Sequence, residues 1–228
     1  MRVARCSVGE VSTDLFGNPV DEPATAASRG SLSSAGHDQL PLAVRLRPRT
    51  VDEIVGQDHV LGPGSPLRRR AEGNQAMSVF LWGPPGVGKT TIAAVVSASG
   101  KRRFVELSAV TAGVKEVRAA LAEAERQLAR GVGTVLFVDE VHRFSKAQQD
   151  VLLPAVENRL VTLIAATTEN PSFSVISPLL SRSLLLTLKP LSDADVAVLL
   201  DRALTDERGL AGSFTLTEDA RTALLRFA

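Results

Sequence analysis

The sequence has a single cysteine, Cys6, no tyrosine, one tryptophan and three histidines in 228 residues. Each scarcity excludes something. One thiol cannot close an internal disulfide, and His37, His59 and His142 lie far apart with no cysteine partner, so neither a disulfide scaffold nor a zinc site fits. Neither sign of charge dominates. The 26 Lys and Arg stand against 25 Asp and Glu, a net charge of +1, so no whole-molecule field demands a nucleic acid or an anionic membrane. Apolar runs such as Leu184-Leu185-Leu186 fall far short of the roughly 20 residues that span a bilayer. No cationic start leads into an apolar stretch, so no secretory leader is read, and the expectation is a soluble, cytoplasmic protein in a reducing compartment. Ser, His and Asp form no recognisable nucleophile elbow, which leaves covalent hydrolase chemistry without support.

What the sequence does have is apolar mass, 44% of its residues, enough to bury a sizeable core. Residues 1–40 mix Ser, Gly, Ala, Pro and Asp without sustained periodicity and are expected to form a disordered tail. From Pro41 the pattern alternates short apolar runs with helical periodicity. Strands are expected at Ser78–Trp82, Phe104–Leu107, Thr134–Val138, Leu160–Thr167 and Leu184–Leu188. Helices are expected from Lys89 to Ser99, along the face shared by Val114, Val117, Leu121, Ala124 and Leu128, and from Ala147 to Glu157, with a kink at Pro154. This order predicts an α/β fold: an open parallel five-stranded sheet with helices on both faces and its ligand at the strands' carboxyl ends. After Pro190 only helical patterns remain, at Asp193–Leu204 and Glu218–Phe227. The expected division is therefore a tail at 1–40, an ATPase core at 41–190 and the start of a helical lid at 191–228.

Gly83-Pro84-Pro85-Gly86-Val87-Gly88-Lys89-Thr90 follows an apolar strand and opens a helix. Its constrained positions would arise by chance in a chain this long on the order of one time in a hundred. Backbone N–H groups of such a loop, with the positive end of the helix dipole, point at phosphates. Lys89 reaches the β and γ phosphates and the Thr90 hydroxyl is a magnesium ligand, with Thr91 completing the nucleotide-binding set. Four apolar residues lead into Asp139-Glu140, and two carboxylates at the end of a buried strand are costly unless a metal or substrate uses them. Asp139 is read as the magnesium ligand and Glu140 as the base that takes the proton of the water attacking the γ-phosphate. Thr167-Thr168-Glu169-Asn170 ends the fourth strand beside them, and either orients that water through Thr168 and Asn170 or caps the next helix.

With these elements placed, the chain resembles the AAA+ ATPases of the clamp-loader and branch-migration helicase clade, and within it the replication-associated recombination protein A family. The likeness runs from Pro41 to about Leu225. It rests on Pro41-Leu42-Ala43 before Arg45-x-Arg47-Pro48, Val55-Gly56-Gln57, Ser108-Ala109-Val110-Thr111-x-Gly113-Val114-Lys115-Glu116, Asp139-Glu140-Val141-His142-Arg143-Phe144 and Ala166-Thr167-Thr168-Glu169-Asn170-Pro171-Ser172-Phe173. The resemblance implies ATP and Mg²⁺ as ligands and a ring-like homo-oligomer. It also implies a DNA-dependent, nucleoid-associated activity at stalled forks or on single-stranded and gapped DNA. By the same likeness Val55, Gly56 and Gln57 line the adenine pocket, and Arg182, in Ser181-Arg182-Ser183, is an arginine finger for a neighbouring subunit's γ-phosphate. The family's second sensor arginine falls just beyond Ala228, and its C-terminal oligomerisation domain is not in the sequence. The expectation is thus an N-terminal fragment that binds nucleotide better than it hydrolyses it. Arg221 and Arg226 fit as exposed lid residues.

Fainter features have simpler readings beside the functional ones. Asp14-Leu15-Phe16 partly resembles a sliding-clamp docking peptide but lacks the leading glutamine, and a single-stranded DNA-binding protein is the other partner implied. Arg68-Arg69-Arg70 and Lys101-Arg102-Arg103 either meet DNA phosphates or solvate a surface. His142 either senses the site beside it or is a hydrogen-bonded surface group at a helix start. Among rival functions, a GTPase would need Asn-Lys-x-Asp, which is absent, and a metabolic kinase has little use for Glu140 and a helical lid. A nucleotide-gated adaptor that binds ATP with little hydrolysis remains the alternative to a motor.

Overall fold

The computed structural model describes residues 40–73, 77–98 and 102–227. Almost all of the expected tail, Asp14-Leu15-Phe16 and Lys101 lie outside the described residues. Chain order runs α1 (Leu42–Arg45), a 3₁₀ turn at Val51–Glu53, α2 (Asp58–Leu61), α3 (Pro66–Gly73), β1 (Ser78–Trp82) and α4 (Lys89–Ala98). It continues through β2 (Arg103–Ser108), α5 (Val114–Ala129), β3 (Thr134–Asp139), a 3₁₀ turn at Val141–Arg143, α6 (Lys146–Glu157) and β4 (Val161–Thr167). It ends with α7 (Pro171–Ser174), α8 (Ser177–Leu180), β5 (Ser183–Thr187), α9 (Asp193–Thr205) and α10 (Glu218–Phe227). Among the described residues no helix is long and apolar enough to cross a membrane.

The five strands form one parallel sheet in the order β2-β3-β4-β1-β5. Parallel strands are covered on both faces and so read as unbroken apolar runs, which is why Thr134–Val138 and Val161–Thr167 are buried throughout. The period of two then sorts their side chains. Phe80, Leu136, Val138, Leu163 and Ala165 pack with Val117 and Ala124 of α5 and Leu152 and Val156 of α6. Val79, Leu81, Val135, Phe137, Ile164 and Ala166 pack on the other face with Leu67 of α3 and Ile92, Ala93 and Val96 of α4. Truncating a buried Phe such as Phe137 in such a core costs about 3–5 kcal/mol.

All five expected strands form, each within two residues of its expected bounds. Helix α6 opens on a reciprocal cap, with Ser145 Oγ accepting from Gln148 N–H and Gln148 Oε1 accepting from Ser145 N–H, and it continues through Pro154 to Glu157. Leu128, expected on the face shared with Val117 and Ala124, is 45% exposed in the last turn of α5, whereas those two are buried. The short elements before β1 carried no periodicity long enough to be read. Tertiary ties hold them: Arg208 of the turn after α9 pairs with Glu53 at 3.1 Å, and Arg202 donates to the Glu53 carbonyl at 2.6 Å. Arg221 of α10 makes a two-pronged pair with Asp201 of α9, whereas Arg226 is exposed.

Candidate active site

Strand β4 lies between β1 and β3, so the three segments that leave these strands at their carboxyl ends emerge side by side. The first is the glycine loop, 83–88. Gly83 N–H donates to the Thr167 carbonyl at 3.2 Å, which levels the ends of β1 and β4. Gly86 and Gly88 take φ of +82° and +87°, a conformation side chains resist, and nothing occupies the space a Cβ would fill at either. Lys89 opens α4 and is buried, its Nζ donating to the carbonyls of Gly83 at 2.9 Å and Pro84 at 2.8 Å. Desolvation pulls its pKa below the ordinary lysine range, while Glu140 and Asp139 oppose that shift. A lysine ammonium has three donors, and these two bonds leave one for an incoming phosphate oxygen.

The second segment is Asp139-Glu140. Burial raises the Asp139 pKa and the neighbouring Glu140 carboxylate raises it further; the Glu140 N–H, Lys89 and His142 act the other way. Glu140 holds φ 54°, ψ 44°, a left-handed conformation that costs a non-glycine residue on the order of 1 kcal/mol or more and concentrates at functional sites. The third segment follows β4. Thr168 Oγ1 donates to Glu140 Oε2 at 3.3 Å. Thr167 is fully buried; its Oγ1 donates to the Glu169 carbonyl and accepts the Glu169 N–H, both at 3.1 Å. Asn170 uses its Oδ1 to accept the Ser172 N–H, so its side chain caps α7.

Of the two readings of His142, burial overturns the surface group. Its side chain is 4% exposed, with Nδ1 3.2 Å from Glu140 Oε2 and 3.1 Å from Thr167 Oγ1. The one sequence signal for this was its place three residues after Asp139. The 3₁₀ turn at Val141–Arg143 folds it back under the strand ends instead of releasing it to solvent.

Asp139 and Thr90 are hard oxygen donors beside a phosphate cradle, the set a magnesium ion takes together with substrate phosphates and waters. Among the described residues no group of three or more His, Cys, Asp or Glu is placed to hold a metal by itself.

Beside the loop a cavity of about 600 Å³ is lined by Leu42, Val44 and Pro48 of the chain's first segment, residues 42–53 before α2, by Thr91 of α4, Val196 and Leu200 of α9 and Leu224 of α10. Its walls are mostly apolar, as a planar base requires. Pro41-Leu42-Ala43 and the arginine string after it carried the family likeness in the sequence, yet no site role was read from them. Gln57 is buried with both ends of its amide committed to the Lys189 backbone, Nε2 donating to the carbonyl at 2.7 Å and Oε1 accepting the N–H at 3.3 Å. Gly56 backs onto α9 so closely that a Cβ would come within 2.5 Å of Leu191 Cδ2. Val55 is half-buried beside it.

Arg182 is not part of this cluster. It precedes β5, whose first residue pairs with Ser78, the first of β1. At about 3.3 Å per residue the two ends of the sheet are roughly 16 Å apart, so Arg182 stands across the sheet from its own phosphate loop. It is half-exposed, ion-paired to Glu157 at 2.7 Å, donates to the Pro178 carbonyl at 2.9 Å, and lines a second cavity of about 470 Å³. Of the basic runs, Arg68 pairs with Asp52 and Glu72, and Arg103 with Glu123.

Residues 79–190 match the family model of the AAA family, the ATPases associated with various cellular activities. The chain is 56% identical over 200 residues to an AAA domain-containing protein of Mycobacterium tuberculosis, covering 86% of this chain and 44% of that one. It is 46% identical over 196 residues to the replication-associated recombination protein A of Coxiella burnetii, with 85% and 44% covered. The fold is similar to that of the RuvB Holliday junction branch migration motor of Thermotoga maritima, with a TM-score of 0.60 and 32% identity over 71% of this chain and 54% of that one. The chain spans less than half the length of the two curated relatives.

Proposed function

The chain belongs to the AAA+ ATPases and, within them, to the replication-associated recombination protein A family, and on that premise we propose that it is the ATP-hydrolysing part of a DNA-dependent motor acting in replication-fork maintenance, recombination and repair. The observation that carries this reading is the convergence of Lys89, Asp139, Glu140 and Thr168 at the ends of β1, β3 and β4. A phosphate chain sits on the loop's N–H groups and the amino end of α4, with Lys89 against its β and γ oxygens and the base in the apolar cavity between the first segment and α9. Val55, Gly56 and Gln57 border that pocket, Gln57 by fixing the Lys189 backbone. Asp139 and Thr90 would hold a magnesium ion, which would supply neutralisation of the phosphates' negative charge.

Glu140 accepts a proton from the attacking water as its oxygen bonds to the γ-phosphorus. The bond from that phosphorus to the β–γ bridging oxygen breaks, leaving ADP and phosphate. Thr168 orients Glu140, and Asn170 holds the loop through its cap. Arg182, across the sheet, completes the site of an adjacent subunit in a homo-oligomer, which ties hydrolysis to assembly. Residues 41–190 serve as the ATPase core and 191–228 as the beginning of its lid.

The test is ATP turnover of the full-length protein with and without single-stranded, gapped and forked DNA. At least one of these is expected to raise the rate severalfold, and Glu140→Gln is expected to abolish turnover while ATP still binds. If no DNA stimulates, the motor reading fails and the nucleotide-gated adaptor takes its place.

A further inference from the structure

We propose that His142 is a positioning residue that fixes which oxygen of Glu140 is free to act as the base; this rests on the ATPase reading above. Glu140 sits in a left-handed backbone at the end of β3, where neither strand nor helix geometry directs its side chain. Something else must aim the carboxylate. Two groups close on one of its oxygens: Thr168 Oγ1 donates to Oε2 at 3.3 Å, and the His142 imidazole lies against the same atom, with Nδ1 3.2 Å away. Among the described residues nothing hydrogen-bonds Oε1. With Oε2 held, Oε1 is the atom left to receive the proton of water.

The neighbouring threonine assigns the imidazole. Thr167 Oγ1 spends its one hydrogen on the Glu169 carbonyl, so in its 3.1 Å bond with His142 the hydrogen is carried by Nδ1, beside the Glu140 carboxylate. The other nitrogen, Nε2, stands 3.8 Å from Glu169 Oε1, beyond hydrogen-bond range. Burial of the ring prevents it from swinging away. Thr167 Oγ1 is in turn bonded to both the N–H and the carbonyl of Glu169. The base, the imidazole and the loop after β4 therefore move as one unit, and a shift in that loop is felt at Oε2 of Glu140.

The experiment uses the full-length protein and compares His142→Ala, His142→Asn and His142→Gln. Asparagine places an amide N–H near the position of Nδ1, whereas glutamine places one near Nε2. Equilibrium ATP affinity, the single-turnover hydrolysis rate and the unfolding temperature are measured for each. Since an ångström of misplacement can cost about 10²-fold, the Ala and Gln variants are expected to hydrolyse roughly 10- to 100-fold more slowly with ATP affinity within about twofold of the parent. The Asn variant is expected to keep the rate within about threefold. A loss in the Asn variant as large as in the Ala variant overturns the proposal, as does a parallel fall of affinity and unfolding temperature in all three. Glu140→Gln separates this failure from a deeper one. If that variant is inactive while His142→Ala keeps the parental rate, only the role of His142 falls; if Glu140→Gln still turns over, the base assignment falls with it.

Discussion

At the carboxyl ends of β1, β3 and β4, Lys89, Glu140, His142, Thr167 and Thr168 are bonded to one another or to the loops that carry them. At the amino ends, Arg182 is half-exposed and its ties are a single carboxylate, Glu157, and groups within its own turn. The first arrangement is a site closed upon itself, holding a buried lysine and a half-buried aspartate whose pKa values shift as desolvation requires. The second is a cation held loosely over a cavity of about 470 Å³. On the proposed function, the guanidinium would exchange its half-exposed ion pair with Glu157 for the γ-phosphate of an adjacent subunit.

The largest effect should come from breaking that second region. Arg182→Ala in the full-length protein is expected to slow ATP turnover by about 10³-fold or more while leaving ATP affinity within about twofold, because the arginine lies across the sheet from the phosphate loop of its own chain. Mixing experiments sharpen the contrast. Arg182→Ala subunits combined with Glu140→Gln subunits should regain part of the lost turnover, since some interfaces then join an intact base to an intact arginine. If Arg182→Ala weakens ATP binding as strongly as turnover, or if mixing restores nothing, the arginine is acting within its own chain and the comparison fails.

How legible these two regions are in the sequence differs for physical reasons. The strands are legible because a parallel sheet covered on both faces forces unbroken apolar runs, and the phosphate loop because glycine, lysine and threonine have no shared structural purpose at that spacing. Asp139 and Glu140 are legible from the cost of ending a buried strand in two charges. The burial of His142 was not, since a lone histidine after a strand carries no period, and only the 3₁₀ turn that folds it inward makes it part of the site. The apolar cavity beside Thr91 was equally hidden. Its walls come from residues 42–48, α9 and α10, whose meeting is set by long-range ties such as Arg45 Nη1 to the Gly209 carbonyl at 3.1 Å. The position of Arg182 is only partly legible: its motif suggests the finger proposed above, but the sheet register is what places it out of reach of its own loop.

A smaller effect tests whether Gln57 belongs to the nucleotide or to the fold. Its buried amide is fully engaged with Lys189, so Gln57→Leu should cost about 1–3 kcal/mol of stability by leaving that backbone N–H and carbonyl unpaired. The denaturant midpoint should fall more clearly than ATP affinity. A normal midpoint with weakened ATP binding would instead put the side chain against the base.

The smallest effect concerns the tie between the first segment and the turn after α9. Arg208 pairs with Asp206 and Glu53, and its hydrogen bonds to Asp206 hold that carboxyl down at about 2. A carboxyl whose folded pKa is depressed contributes stability above its unfolded value and loses it as pH falls through the folded one. Arg208→Ala should therefore lower the unfolding temperature slightly near neutral pH, and the difference from the parent should shrink as pH drops below 4 and vanish only below about 2. Both side chains remain partly exposed, and the solvent beside them keeps the effect small. A difference that persisted unchanged to pH 2 would mean that Arg208 acts through packing of its aliphatic stem, and that the first segment is held against α9 by apolar contact instead of charge.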